Sequence, residues 1–206
     1  MHTRLQSLCG LLVLAGVVHF AAAAAAVQLL RGDYAPAQAP LSLYLSGDYG
    51  RWLQLAYYGL AAAVATLGVA LQRSLDPAAR YALVPVLLGC GAVALAVTAT
   101  WPGPAPGHPA TPLGELVHGC AAIASFLWVG TAMLLQSCVL HRDRQWRAVA
   151  VPALVLAVLA FAGLWLHALW RDLPRGTSQK AVIALYLAWL GLAGRQLLRG
   201  ARHGRD

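Results

Sequence analysis

Long runs of apolar residues alternate with short polar segments from one end of the chain to the other, and six runs recur at membrane-spanning length. They cover about residues 5–30, 52–72, 81–101, 113–140, 148–170 and 180–198. A hydrocarbon core about 30 Å thick is crossed by about 20 helical residues. A helix bonds its own backbone, so it is the default spanning element in lipid. The pattern therefore predicts an all-α protein: a single six-helix transmembrane domain over residues 1–206.

The intervening segments fit that reading. The Pro/Gly-rich stretch from Pro102 to Pro112 cannot be helical throughout and separates the third run from the fourth. Arg73–Arg80 is a short basic loop, and Arg31–Arg51 is the longest polar connection. The first run admits a second reading, a signal peptide, because Arg4 precedes an apolar stretch and Ala21–Ala26 supplies an A-x-A cleavage pattern. Val27, Leu29 and Leu30 carry the apolar run past those alanines, which predicts a retained helix.

Composition sharpens the picture. The chain is 60% hydrophobic and 11% charged, against about 25% charged residues in ordinary soluble domains. The net charge of +8 does not signal nucleic acid, because the basic residues sit at run ends and form no face interleaved with aromatics. They set orientation instead. Arg4, Arg73, Arg80, Arg142, Arg144, Arg147, Arg195, Arg199, Arg202 and Arg205 fall on one side of a six-pass topology. Arg31, Arg51, Arg171, Arg175 and Lys180 fall on the other. The first side is expected to be cytoplasmic and to hold both termini, with the chain in a bacterial inner membrane. Arg171–Gln179 is basic for an outer loop. Trp52, Trp101, Trp146 and Trp170 mark run ends, as an aromatic belt does.

Four cysteines, Cys9, Cys90, Cys120 and Cys138, lie inside apolar runs with no C-x-x-C pair, so they read as small packing residues. Gly89, Gly91, Gly191 and Gly194 are expected to let helices approach closely.

Polar groups within membrane runs carry the candidate chemistry, since they are expensive in lipid and turn toward the bundle interior. In the fourth run Glu115, His118, Ser125 and Gln136 fall within an arc of about 80° at 100° per residue. Glu115 is the only glutamate and precedes His118 by one turn. His167 has a similar depth in the fifth run, and His19 lies mid-way along the first. Asp48, His108, Asp172, Arg175, Ser178 and Lys180 surround the same outer rim. Three readings remain open for Glu115, His118 and His167. They serve helix capping and packing, favoured for an acid in a first turn, in a non-catalytic membrane assembly or scaffold protein. They form an outward-facing site that binds or processes a lipid or small polar ligand, with Asp48 and Ser125 contributing and a Glu–His pair moving protons. Or His118 and His167 ligate haem or a metal, although a single E-x-x-H is short of the di-iron pattern.

Two stretches, "PLSLYLSGDYGRWLQLAYYGLAAAVATLGVAL" (residues 40–71) and "TWPGPAPGHPATPLGELVHGCAAIASFLW" (residues 100–128), carry a resemblance. Their aromatic-Pro turn, Pro/Gly loop and "G-x-x-x-H-G-x-A-A" are similar to the six-pass bacterial membrane family known as domain of unknown function 998. That resemblance implies the six-helix fold and the membrane location, marks His118 as the matching histidine of the fourth helix, and implies no activity. The chain departs from the family at "WPGPAPG", where an acidic residue is expected soon after the aromatic-Pro pair.

Overall fold

The computed structural model describes residues 2–203, with side chains placed for residues 4–200. Six α-helices account for the architecture: α1 (His2–Leu30), α2 (Gly50–Ser74), α3 (Leu83–Thr100), α4 (Pro112–Val139), α5 (Arg147–Leu169) and α6 (Arg175–His203). Among the described residues there is no strand, only one isolated bridge between Ala105 and His108. All six helices are long and apolar enough to cross a membrane.

Each helix packs on its neighbour in chain order, and α6 returns to α1, so the bundle closes on itself. Small residues set the closest approaches, because they let backbones meet where lipid gives no hydrophobic drive to association. A Cβ on Gly16 would overlap Ala63 and the Gly59 carbonyl, and one on Gly10 would overlap the Gly194 carbonyl and Leu198. Gly91 faces Val129, and Gly194 faces Val13 and Leu14, as expected of close-packing glycines. Gly89 and Gly191 face open space and bring no helices together. Cys9 and Cys90 are half-buried, whereas Cys120 and Cys138 stand exposed on α4, and all four are free thiols.

Large apolar side chains also cover the outside. On α5 the buried stripe Val149, Ala150, Ala153, Ala157 and Ala160 faces the bundle, while Val151, Leu154, Val155, Val158 and Leu159 face outward. An apolar exterior of that extent has no place in water and is what a lipid-facing helix presents.

The helix bounds lie close to the apolar runs except at α6. That helix begins at Arg175, directly after Pro174, rather than at Lys180. Proline is suited to this position because its missing N–H would be unpaired there anyway. Arg175 and Lys180 therefore belong to a helix, and both cations reach carbonyl oxygens: Arg175 donates to His167 and Lys180 to Pro36. Of the two basic residues in the segment read as an outer loop, Arg175 thus belongs to α6 and Arg171 precedes it. Of the basic residues at the C-terminus, Arg205 lies outside the described residues and Arg202 beyond the described side chains.

One end of the bundle carries the termini and the α2–α3 and α4–α5 connections; it is stitched by Asp143. Its carboxylate is buried and accepts from Asp76 N at 2.7 Å, Gln145 N at 2.8 Å and Trp146 N at 3.1 Å. It thereby holds the turn that leads into α5 and ties the two connections together. The opposite, distal end carries the α1–α2, α3–α4 and α5–α6 connections. Here residues 31–49 fold as a strap across the bundle, with a 3-10 turn (Leu41–Leu45) whose Leu41, Tyr44 and Leu45 are buried.

Candidate functional site

The polar stripe on α4 divides along its length. His118, Ser125 and Gln136 are buried, whereas Glu115 is exposed. Glu115 sits in the first turn, just after the cap that Thr111 supplies by accepting from Gly114 N at 3.1 Å. The positive end of the helix dipole favours an acid in that position. No hydrogen bond or ion pair joins Glu115 to His118 among the described residues.

His118 is held by α3. Its Nδ1 lies 2.8 Å from the Trp101 carbonyl and 3.2 Å from the Thr98 carbonyl. Both partners are acceptors, so Nδ1 carries the proton and donates to carbonyls that the end of α3 leaves unpaired. The ring packs against Gly103, where a Cβ would meet it, so the glycine of "WPG" makes room for the histidine. The following loop turns at Pro106-Gly107, with Gly107 at φ +75° and His108 N donating to Ala105 O at 2.8 Å. Pro then Gly at the two central positions is the sequence a type II turn requires.

His167 is held by α6. Its Nδ1 lies 2.7 Å from Ser178 Oγ, which in turn donates to Pro174 O at 2.9 Å. The two histidines thus each clamp a neighbouring helix end, α3 for His118 and α6 for His167, and no hydrogen bond connects them. His19 is exposed on α1. Among the described residues no three His, Cys, Asp or Glu side chains are grouped to hold a metal ion.

Asp48 belongs to a different cluster on the distal rim. Arg31 is buried and bonds Asp33 through Nε at 2.8 Å and Nη2 at 2.6 Å, while Nη1 reaches the Ser46 and Asp48 carbonyls. Asp33, Asp48 and His108 line an open hollow around it. The bidentate bond to Arg31 holds the Asp33 carboxyl below the usual carboxylate range and raises the guanidinium in turn. Arg31 also stacks on Tyr34, whose ring meets Tyr44 edge-on at 5.1 Å. Burial pushes the Tyr44 phenol above its ordinary value.

The strap formed by residues 31–49 is anchored at its other end to α6. Leu41 N donates to Gln179 Oε1 at 2.8 Å and Thr177 N to Ala37 O at 3.0 Å. Gly176 is needed there, since a Cβ would run into the carbonyls of Pro36, Ala37 and Ala39.

Beneath the strap, inside the bundle, lies a partly open cavity of about 60 Å³. Its wall draws on α1, α2, α3, α4 and α6, with Phe20, Leu60, Leu95, Phe126 and Leu187 among its apolar side chains. Ser125 lines it, as do Tyr57, Thr98, Gln179 and Tyr186. Ser125, Thr98 and Tyr186 spend their hydroxyl protons on the carbonyls of Ala122, Ala94 and Phe126, at 2.8, 2.8 and 2.7 Å. Each keeps lone pairs that can accept.

Tyr57 escaped the sequence reading, which searched the membrane runs for charged groups and histidines. The available signal was its place in the stripe Leu53, Tyr57, Leu60, Val64, Leu67, Leu71, all of which are buried. Tyr186 was missed for the same reason, and Asp143 because its partners are set by the chain turn after α4.

Six apolar helices closed into a ring and sheathed in apolar side chains define an integral, multi-pass helical membrane protein. The chain belongs to the family described as "Protein of unknown function (DUF998)", whose family model matches residues 14–196. No curated protein and no solved structure matches it.

Proposed function

We propose that this protein binds a lipid-class ligand within its helix bundle, in a bacterial cytoplasmic membrane, with both termini in the cytoplasm. The observation that carries the reading is the cavity itself: apolar walls, a few convergent polar groups and a strap across the distal end. Ligand sites of this kind are mostly apolar with a small number of oriented polar groups, and they form between helices of bundles. The distribution of Lys and Arg supports this orientation, in which the cavity's strap lies on the outer side. The packing of α1 between α2 and α6 supports its retention as a helix of a single 206-residue domain.

Within this reading His118 and His167 position helix ends around the cavity. Glu115 stands in the interfacial first turn of α4, and Asp48 shapes the rim. The test is thermal unfolding of purified protein with and without added membrane lipid extract. A ligand that binds only the folded state raises its stability. Wild type is expected to be stabilised and an Ala122→Leu variant, which fills the cavity, to respond less. Equal responses remove the reading.

A further inference from the structure

The polar groups of the cavity define what a ligand there must look like. No Asp, Glu, Lys, Arg or His side chain lines it. A charged headgroup would be buried without a counter-ion, which costs several kcal/mol in so apolar a site. The ligand's polar part is therefore neutral.

Tyr57 supplies the recognition. The side chain is only 6% exposed and packs edge-on against Phe20, with ring centroids 5.0 Å apart. Its hydroxyl makes no hydrogen bond to any described residue, yet it is not sealed in the protein, so it keeps part of the little surface the residue exposes. A phenol so buried is ordinarily paired. The Gln179 amide accepts from the strap through Oε1 and leaves its NH₂ as a second donor beneath the strap. Thr98 and Ser125 have committed their protons and can only accept. The cavity thus presents donors from Tyr57, Gln179 and the strap's Ser42 beside acceptors from Thr98 and Ser125. A ligand hydroxyl, which both donates and accepts, satisfies the two kinds together; a carbonyl or an ether satisfies only the donors.

The volume bears on how much of the ligand enters. At 10–15 Å³ per water, a cavity of 60 Å³ has room for about four to six waters. That accommodates a hydroxyl and the first few carbons of a chain, with the remainder passing through the open side.

Resting on the proposed ligand-binding role, we infer that this cavity binds the hydroxyl end of a neutral, long-chain lipid alcohol, with Tyr57 donating to its oxygen. The experiment uses the full chain in phospholipid nanodiscs at pH 7 and three photoreactive diazirine probes of equal length: dodecanol, dodecane and dodecanoate. Crosslinked peptides are mapped in wild type, Tyr57→Phe and the cavity-filling Ala122→Leu, with Leu95→Phe as a second filler should Ala122→Leu fail to fold. Dodecanol is expected to label cavity-lining peptides of α2, α4 and α6, and either filler to suppress this. Tyr57→Phe should lower dodecanol labelling about fivefold, the equivalent of one hydrogen bond of about 1 kcal/mol, and leave dodecane labelling unchanged. Dodecanoate should label at least about tenfold less than dodecanol. Labelling by dodecanol that is indifferent to Tyr57→Phe, or matched by dodecanoate, overturns the inference while leaving a ligand-binding cavity in place. Absence of filler-sensitive labelling by any probe overturns both.

Discussion

His118 Nδ1 on α4 donates across the helix pair to the carbonyl of Trp101, 2.8 Å away, at the residue that ends α3. The same nitrogen covers the Thr98 carbonyl at 3.2 Å. The buried histidine of α4 is thus bonded to a helix end. Replacing it with alanine exposes those carbonyls in a buried setting and should cost about 1–3 kcal/mol. Thermal unfolding in detergent, followed by tryptophan fluorescence, should register a lower midpoint for His118→Ala. Unchanged stability combined with lost ligand binding would instead assign His118 a direct ligand contact.

Tyr186 and Gly130 make a second such pair. The Tyr186 hydroxyl reaches Phe126 O at 2.7 Å through space that any side chain at position 130 would occupy. Gly130→Ala should therefore destabilise by about 1–3 kcal/mol, the usual cost of overpacking. Tyr186→Phe removes the colliding atom, so the double variant should lose clearly less than the sum of the two single losses. Strict additivity in the same unfolding assay would contradict the packing described.

Most of the fold was legible because an apolar run of spanning length has one economical structure in lipid. The start of α6 was not, because Arg175, Thr177 and Ser178 read as a loop until their partners on α5 and the strap are known. The stripe His118, Ser125, Gln136 was readable from helical phase, and Glu115 shares that phase yet lies in the exposed first turn of α4. Which helix each group faces is decided by tertiary packing. Hence His118 pairs with α3 and His167 with α6, although matched depth suggested one cluster. The cavity was least legible, since its hydroxyls come from the strap, α2, α3, α4 and α6 and carry no charge to mark them.

The Arg31–Asp33 pair gives the strap a defined acid response. Asp33 has a lowered pKa in the folded protein, so its contribution is complete above the ordinary Asp value of about 3.9 and is lost as pH falls through the folded value. Carbon-detected NMR of the Asp33 carboxyl should show a midpoint below about 3.9, with no change between pH 7 and 5. A midpoint at or above the ordinary value would mean that the pair is not formed. Arg31→Ala should return the midpoint toward that value.

Orientation is tested by fusions. A reporter active only outside the cytoplasm should be silent when joined after Arg205 and active when inserted between Pro102 and Pro112. The reverse pattern would invert the topology, and a mature N-terminus near Val27 would remove α1 from the bundle.

The most direct measurement of the account is native mass spectrometry of the protein released from its own membranes in mild detergent. Wild type should carry an added mass matching a neutral lipid, one per chain, that persists under activation which strips detergent. Ala122→Leu should fly without it. Protein of bare mass in the wild type, or the same adduct in equal amount on the cavity-filled variant, would contradict a ligand site inside the bundle.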